Sequence, residues 1–104
     1  LILYLNKNEF SQLIKFISKN TVNNAVLILR EPVGIKKEFI LNNVYSKELE
    51  TNYSAIYRTE KKIINSFKSN NFILLNNEWL HPDNSKFNKW KETRLKLISL
   101  RKIK

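Results

Sequence analysis

Ser54, Arg58, Lys61, Asn65 and Lys68 recur at a spacing that places them on one side of a helix, with Tyr57 and Lys62 beside them. On the same wheel Ile56, Ile63 and Phe67 fall within about 20° of one another, because seven residues nearly complete two turns. One face is therefore apolar, and the opposite one carries cations and short hydrogen-bonding groups. That is the chemistry an α-helix needs to enter the DNA major groove, where phosphates want lysines and base edges want bidentate partners. Arg58 has the chemistry to read guanine and Asn65 to read adenine, while Lys61, Lys62 and Lys68 suit phosphates. The plainer alternative is a solvated helix face.

The elements that would position this face follow from periodicity. Asn6 and Glu9 have the spacing of a capping box, and Phe10, Leu13, Ile14 and Ile17 follow at helical spacing up to Asn20. The run from Thr21 to Arg30 is apolar on all sides and reads as a central helix or a buried strand, with Thr21 as a cap favouring helix. Ile35, Phe39, Ile40, Val44 and Tyr45 give a looser helical pattern broken near Asn42 and Asn43. A short helix ends near Glu50, and a longer one begins after Ser54.

Phe72 to Leu75 and Glu78 to His81 flank Asn76 and Asn77, which predicts a tight β-hairpin with an uncharged tip. That tip is a further candidate contact to DNA. From Asp83 to Ser85 onward, Phe87, Trp90, Leu95, Leu97, Ile98 and Leu100 describe a C-terminal helix with an apolar arc wider than one contact needs. A second copy of the chain is expected to cover the excess, giving a homodimer. The expected class is mainly α with one small hairpin, in a single domain over residues 1–104.

Composition narrows the function. The chain has 104 residues, with 19 Lys and Arg against 9 Asp and Glu, a net charge of +10. Residues 1–57 contribute 7 basic and 5 acidic side chains, and residues 58–104 contribute 12 and 4, so +8 of the charge lies in the second part. Such a balance favours a polyanion partner, since each neutralised phosphate releases counterions. Zero Cys excludes thiolate metal sites, disulfides and cysteine nucleophiles, and one His with one Asp leaves little for a metal centre or catalytic triad. No enzyme, metal or cofactor is expected, and His81 reads as a packed or surface histidine. No apolar run approaches a membrane span and no signal peptide is visible, so a cytoplasmic location is expected. One Gly and two Pro speak against an all-β fold. Fifteen Asn, fifteen Lys and twelve Ile reflect AT-rich coding, so single Asn residues are discounted as turn signals.

The order of helices, a turn-separated helix pair, a hairpin and a terminal helix resembles the winged helix-turn-helix family. The resemblance is carried by the stretch from Ser46 through Tyr53, Ser54 and Arg58 to Ile63, Ile64, Phe67 and the Asn71-Phe72-Ile73 junction. In layout it is similar to ArsR-like and MarR-like repressors and to TubR-type centromere-binding adaptors, departing from metal-sensing ArsR members in its lack of Cys and of a His/Asp cluster. The resemblance implies a homodimer on double-stranded DNA, as a repressor or as a partition adaptor that recruits a tubulin-like partner. Ser54, Tyr57, Arg58, Lys61, Lys62, Asn65, Lys68, Asn76 and Asn77 would then form the DNA contact. Two readings stand beside it: an RNA-binding or ribosome-associated accessory protein in which Tyr57 or Trp79 stacks on bases, and a piece of a larger replication or restriction protein, consistent with the absence of Met.

Overall fold

A computed structural model describes residues 2–81 and 90–103. After a single 3-10 turn at Ile2–Tyr4, helix α1 spans Lys7–Lys19. Its start is the capping box read from the sequence: Glu9 N donates to Asn6 Oδ1 at 2.8 Å, and Asn6 N donates to Glu9 Oε1 at 2.9 Å. These bonds satisfy donors that the first helical turn would otherwise leave unpaired. Phe10 and Ile14, one turn apart, are the buried residues of its inner face.

Most of the chain that follows is strand rather than helix. Strand β1 is Val26–Gly34, β2 is Phe39–Ser46, β3 is Thr51–Tyr57, helix α2 is Glu60–Lys68, β4 is Phe72–Trp79 and β5 is Thr93–Lys102. The mainly α, winged helix-turn-helix expectation is thereby overturned. The apolar run after Thr21 is β1, with Leu27 and Leu29 turned to the helices and Val26 and Ile28 exposed on the opposite face. The looser pattern around Phe39 and Tyr45 is β2, and its break at Asn42 and Asn43 is a bulge, with Leu41 opposite Ala55 and Val44 opposite Tyr53. The helix expected after Ser54 begins only at Glu60, because Thr59 is the cap: its side chain accepts a bond from Lys62 N at 3.2 Å. Ser54 to Tyr57 belong to β3.

The hairpin expected around Asn76 and Asn77 is a single strand. Asn76 lies opposite Ser99 and Asn77 opposite Ile98 in the middle of β4, so there is no wing tip. The expected terminal helix is strand β5 over its described part, and the proposed caps at Asp83 to Ser85, with Phe87, lie outside the described residues. Its wide apolar arc, the basis for expecting a second copy, is divided between two sheet faces: Ile98 and Leu100 lie in the core, and Leu95 and Leu97 are half-buried on the opposite side.

The main sheet has the order β1-β5-β4. β5 runs antiparallel to both neighbours, from Val26↔Arg101 to Gly34↔Thr93 on one side and from Phe72↔Lys102 to Trp79↔Lys96 on the other. Strands β1 and β4 are therefore parallel to each other with β5 inserted between them. One face packs against the helices: Val33, Ile98, Leu100 and Phe72 meet Phe10, Ile14, Ile63, Ile64 and Phe67. The Phe67 and Phe72 rings meet edge to face at 5.4 Å, which holds α2 on β4. On the other face Val26, Ile28 and Ile73 are exposed, as is Leu75 at the bulge, and among the described residues no strand pairs with the outer edge of β1.

A second, two-stranded sheet of β2 and β3 branches from the end of β1. The branch needs a close backbone approach at Gly34, the chain's one glycine. Gly34 N donates to Arg58 O at 3.0 Å, and a parallel bridge joins Gly34 to Thr59. A Cβ there would sit 2.8 Å from the Tyr57 carbonyl oxygen and closer still to that of Lys37. Arg58 completes the junction. Its guanidinium is 3% exposed, donates from Nη1 to Ile2 O at 3.1 Å and from Nη2 to Leu5 O at 2.8 Å, and lies 4.1 Å above the Phe10 ring centroid.

Two outcomes follow for stability. Gly34→Ala forces backbone against backbone and is expected to lower the unfolding free energy by about 2 kcal/mol or more. Arg58→Ala removes the guanidinium from the Leu5 carbonyl and one of the two donors to the Ile2 carbonyl, which keeps Leu5 N, together with the packing on Phe10. It is expected to cost about 2–4 kcal/mol, with Arg58→Lys recovering only part because a lysine cannot span both acceptors. Urea titrations followed by circular dichroism measure both.

Candidate functional site

The carboxyl ends of β1 and β4 lie at the same edge of the sheet, where β5 enters. A cleft of about 360 Å³ occupies it, lined by Ile35, Lys36, Lys37, Glu38 and Phe39 after β1 and by Lys91 and Glu92 before β5. The volume suits a small molecule.

One wall of the cleft is aromatic. Phe39 stands 5.8 Å from both the Tyr57 ring and the Trp90 ring, tilted by 50° and 48°. These rings belong to a small core of Leu3, Leu41, Ala55 and Tyr57, with Phe39, Val44, Tyr53 and Trp90 packed against it. Tyr4 meets Tyr53 edge on at 6.1 Å. The hairpin β2–β3 thus closes over the 3-10 turn and presents Phe39 to the cleft. Burial pushes the Tyr57 phenol above its ordinary pKa, and the nearby Trp90 indole acts in the opposite sense. The Trp90 Nε1 atom is buried and completes no hydrogen bond of normal geometry among the described residues.

At the far corner of the same edge the charges are already occupied. Lys96 Nζ pairs with Glu60 Oε2 at 2.6 Å and lies 3.9 Å from the Trp79 ring centroid. Arg94 stacks on that ring at 4.4 Å and donates from Nε to His81 O at 2.9 Å. Trp79 is therefore packed by two cations rather than offered as a stacking platform for bases.

The nine residues read as a DNA contact are not one surface. Arg58 and Tyr57 are buried, and Arg58 is committed to two carbonyls, so neither can reach a base edge. Ser54 is exposed on β3, where its Oγ accepts a bond from Asn43 N at 3.0 Å across the bulge. Asn76 and Asn77 lie within β4. Only Lys61, Lys62, Asn65 and Lys68 keep the expected arrangement, exposed along α2. Phe39, Trp90 and the loop from Ile35 to Glu38 were not singled out from the sequence. The available signal was Gly34 after an apolar run, the mark of a strand end with a close crossing.

Among the described residues no group of three His, Asp or Glu side chains could hold a metal, and no helix is long and apolar enough to cross a membrane. No family model matches the chain, and no curated protein matches it. A solved structure does: a Burkholderia thailandensis 1,6-didemethyltoxoflavin N1-methyltransferase with bound 1,6-didemethyltoxoflavin and S-adenosylhomocysteine, at a TM-score of 0.67 and 8% identity. The likeness covers 100% of this chain and 41% of that one, so the chain spans less than half the length of the methyltransferase it matches. At that identity the fold is what the two share. The shared arrangement of strands and two helices is not a winged helix.

The raised phenol has a measurable consequence. Tyr57 should ionise above the ordinary range of a tyrosine phenol in an absorbance titration, a component that Tyr57→Phe removes. Because the unfolded phenol ionises near pH 10, Tyr57 favours the folded state fully below that pH and loses its contribution as pH rises towards the folded pKa. Tyr57→Phe is expected to flatten that alkaline decline in denaturation curves collected from pH 9 upward.

Proposed function

We propose that this chain forms the acceptor-binding part of a methyltransferase-type α/β enzyme, with the cleft after β1 taking a small aromatic molecule. The observation that carries the reading is the whole-chain likeness to a methyltransferase at a TM-score of 0.67, together with a cleft at the carboxyl ends of its two parallel strands. The low identity leaves the substrate to be argued from the cleft itself. Phe39 offers a ring edge or face for stacking, and Lys36, Lys37 and Lys91, interspersed with Glu38 and Glu92, give a charged rim that can meet polar groups on a heteroaromatic ring. In this reading the bare outer edge of β1 is where the methyl-donor-binding strands of a longer enzyme continue the sheet. The expectation of a protein without catalytic function gives way to this one.

The chemistry asked of these residues is positioning. Methyl transfer is an in-line displacement in which a nucleophilic acceptor atom meets the donor methyl carbon, so holding the acceptor at one angle is the main contribution of a rigid aromatic wall. Nothing in the cleft supplies a histidine or cysteine base, which suits acceptors that are nucleophilic without help.

Trp90 fluorescence in a Trp79→Phe background reads occupancy of the cleft. Titration with 1,6-didemethyltoxoflavin, a heteroaromatic acceptor, should quench the signal saturably, and Phe39→Ala should weaken binding about 5- to 10-fold, as the loss of one ring contact implies. An unquenched signal across a panel of heteroaromatic acceptors, with no rise in melting temperature, would overturn the proposal.

A further inference from the structure

Along β1 the backbone groups alternate between β5 and the outer edge. Ala25 O accepts from Lys102 N on the β5 side, whereas Gly34 N turns the other way to Arg58 O, so the N–H and C=O groups of Val26, Ile28 and Arg30 face the bare edge. Pro32 shares that phase and has no N–H, and Gly34 beyond it is already bridged to Thr59, so residues 26–30 are the window left for pairing. Free edges are normally blunted by a lysine, a proline or a bulge. Residues 26–30 carry only Arg30 at their end, keep an unbroken register with β5, and leave Ile28 63% exposed.

Helix α1 is bare on the same side. Its Lys7, Ser11 and Ile14 turn to α2, while Glu9, Gln12 and Leu13 line, with Ile2 and Leu5, a mostly apolar groove of about 470 Å³ on the flank away from it. Phe16, one turn beyond Gln12 and Leu13, extends that flank and is 65% exposed. Because α2 covers β4, where Phe67 meets Phe72, α1 lies towards β1 and its free flank overhangs the bare edge. Sheet and helix layer thus stop at the same line, with apolar side chains uncovered in both.

The chain path fixes which way a further strand would run. From β1 the chain crosses by α2 to the parallel strand β4 over the helix-covered face. Crossovers between parallel strands are right-handed, so all those that use one face of a sheet advance in one direction. Helix α1 packs on that face beside α2 and leads into β1. A strand feeding α1 therefore lies on the side of β1 away from β4, at the bare edge, and runs parallel to β1. A second copy related by a two-fold axis would instead pair β1 antiparallel and set another charge of +10 beside the first.

We infer that the edge of β1 and the free flank of α1 form one internal interface, filled by a helix and a strand that precede α1 in a longer polypeptide. The strand pairs parallel to β1 over residues 26–30 and is apolar on both faces, and the helix packs against Leu13 and Phe16. This rests on the methyltransferase-type reading and deepens it by giving the partner layer a direction, a register window and a second contact. The likeness covers 41% of the methyltransferase, which leaves chain enough there for such a layer.

Hydrogen exchange followed by NMR, on the 104-residue chain and on the polypeptide encoded by the complete reading frame, tests this. The amides of Val26, Ile28 and Arg30 should exchange freely in the 104-residue chain and slow by about 100-fold or more in the longer polypeptide, with Leu27 and Leu29 protected in both. Ile28→Lys should leave the melting temperature of the 104-residue chain unchanged and lower that of the longer polypeptide by about 3 °C or more. A reading frame with nothing upstream of this segment overturns the inference, as does an equal effect of Ile28→Lys in both polypeptides. Protection of the three amides in the 104-residue chain, with a dimer mass in sedimentation, assigns the edge to a second copy and overturns it too. Trp90 quenching by an aromatic acceptor reads the cleft separately: quenching without protected amides sinks this interface alone, and protected amides without quenching sink the cleft alone.

Discussion

The guanidinium of Arg58 is the contact on which the arrangement depends. It stands where three parts of the chain meet: the end of β3, the start of the N-terminal segment and the side of α1. Its two bonds to Ile2 O and Leu5 O hold the 3-10 turn, its contact with Phe10 anchors the helix, and its own carbonyl receives Gly34 N from β1. A buried cation is tolerated only when its donors are satisfied, and here burial, which lowers its pKa, is opposed by Glu38 and Glu31. The same cluster ties in Glu31, whose Oε1 accepts a bond from Ile2 N at 3.4 Å. The hairpin and the cleft wall hang from this junction.

The two ends of the same core carry different chemistry. The sheet must be covered on its α1–α2 face, so the outward side of both helices is free to carry lysines. Its strand ends must connect through loops, and the loop after β1 turns sharply at Gly34 and delivers Phe39 to an aromatic wall. A positively charged helical layer and an apolar cleft are therefore compatible in one small chain, since neither draws on the residues of the other. The cations of β5 take no part in either: Lys96 is neutralised by Glu60, and Lys102, buried at the strand end, directs Nζ toward Thr21 O at 3.5 Å. Four cations of the second half, Arg58, Arg94, Lys96 and Lys102, are held within the fold.

The helices were legible because their signals are local. Asn6 and Glu9 sit three residues apart and bond each other, and Ile63, Ile64 and Phe67 fall on one buried face of α2. The strands were not, because each is defined by a partner far along the chain: Leu27 pairs with Leu100, and Leu29 with Ile98. Strand β5 also lacks the alternation that marks a half-buried strand, since Leu95 and Leu97 on one face answer Ile98 and Leu100 on the other, and Lys96 sits among the core-facing positions. Discounting asparagine removed the remaining clue. Asn24, Asn43 and Asn71 adopt positive φ at the entry to β1, at the bulge of β2 and at the entry to β4, positions where asparagine is tolerated in place of the glycines this chain lacks.

By itself the sequence determined the charge of +10, the capped first helix, the apolar face of α2 and its exposed Lys61, Lys62, Asn65 and Lys68. Those properties depend on residue type and on neighbours within four positions, where propensity and capping act. Tertiary structure alone decided that Arg58 is a clamp and not a reader of bases, that Tyr57 is buried, and that Phe39 and Trp90 pack together beside a cleft. Whether a cation is desolvated or presented to a ligand is set by carbonyls and rings that arrive from distant parts of the chain, and no local pattern encodes their arrival.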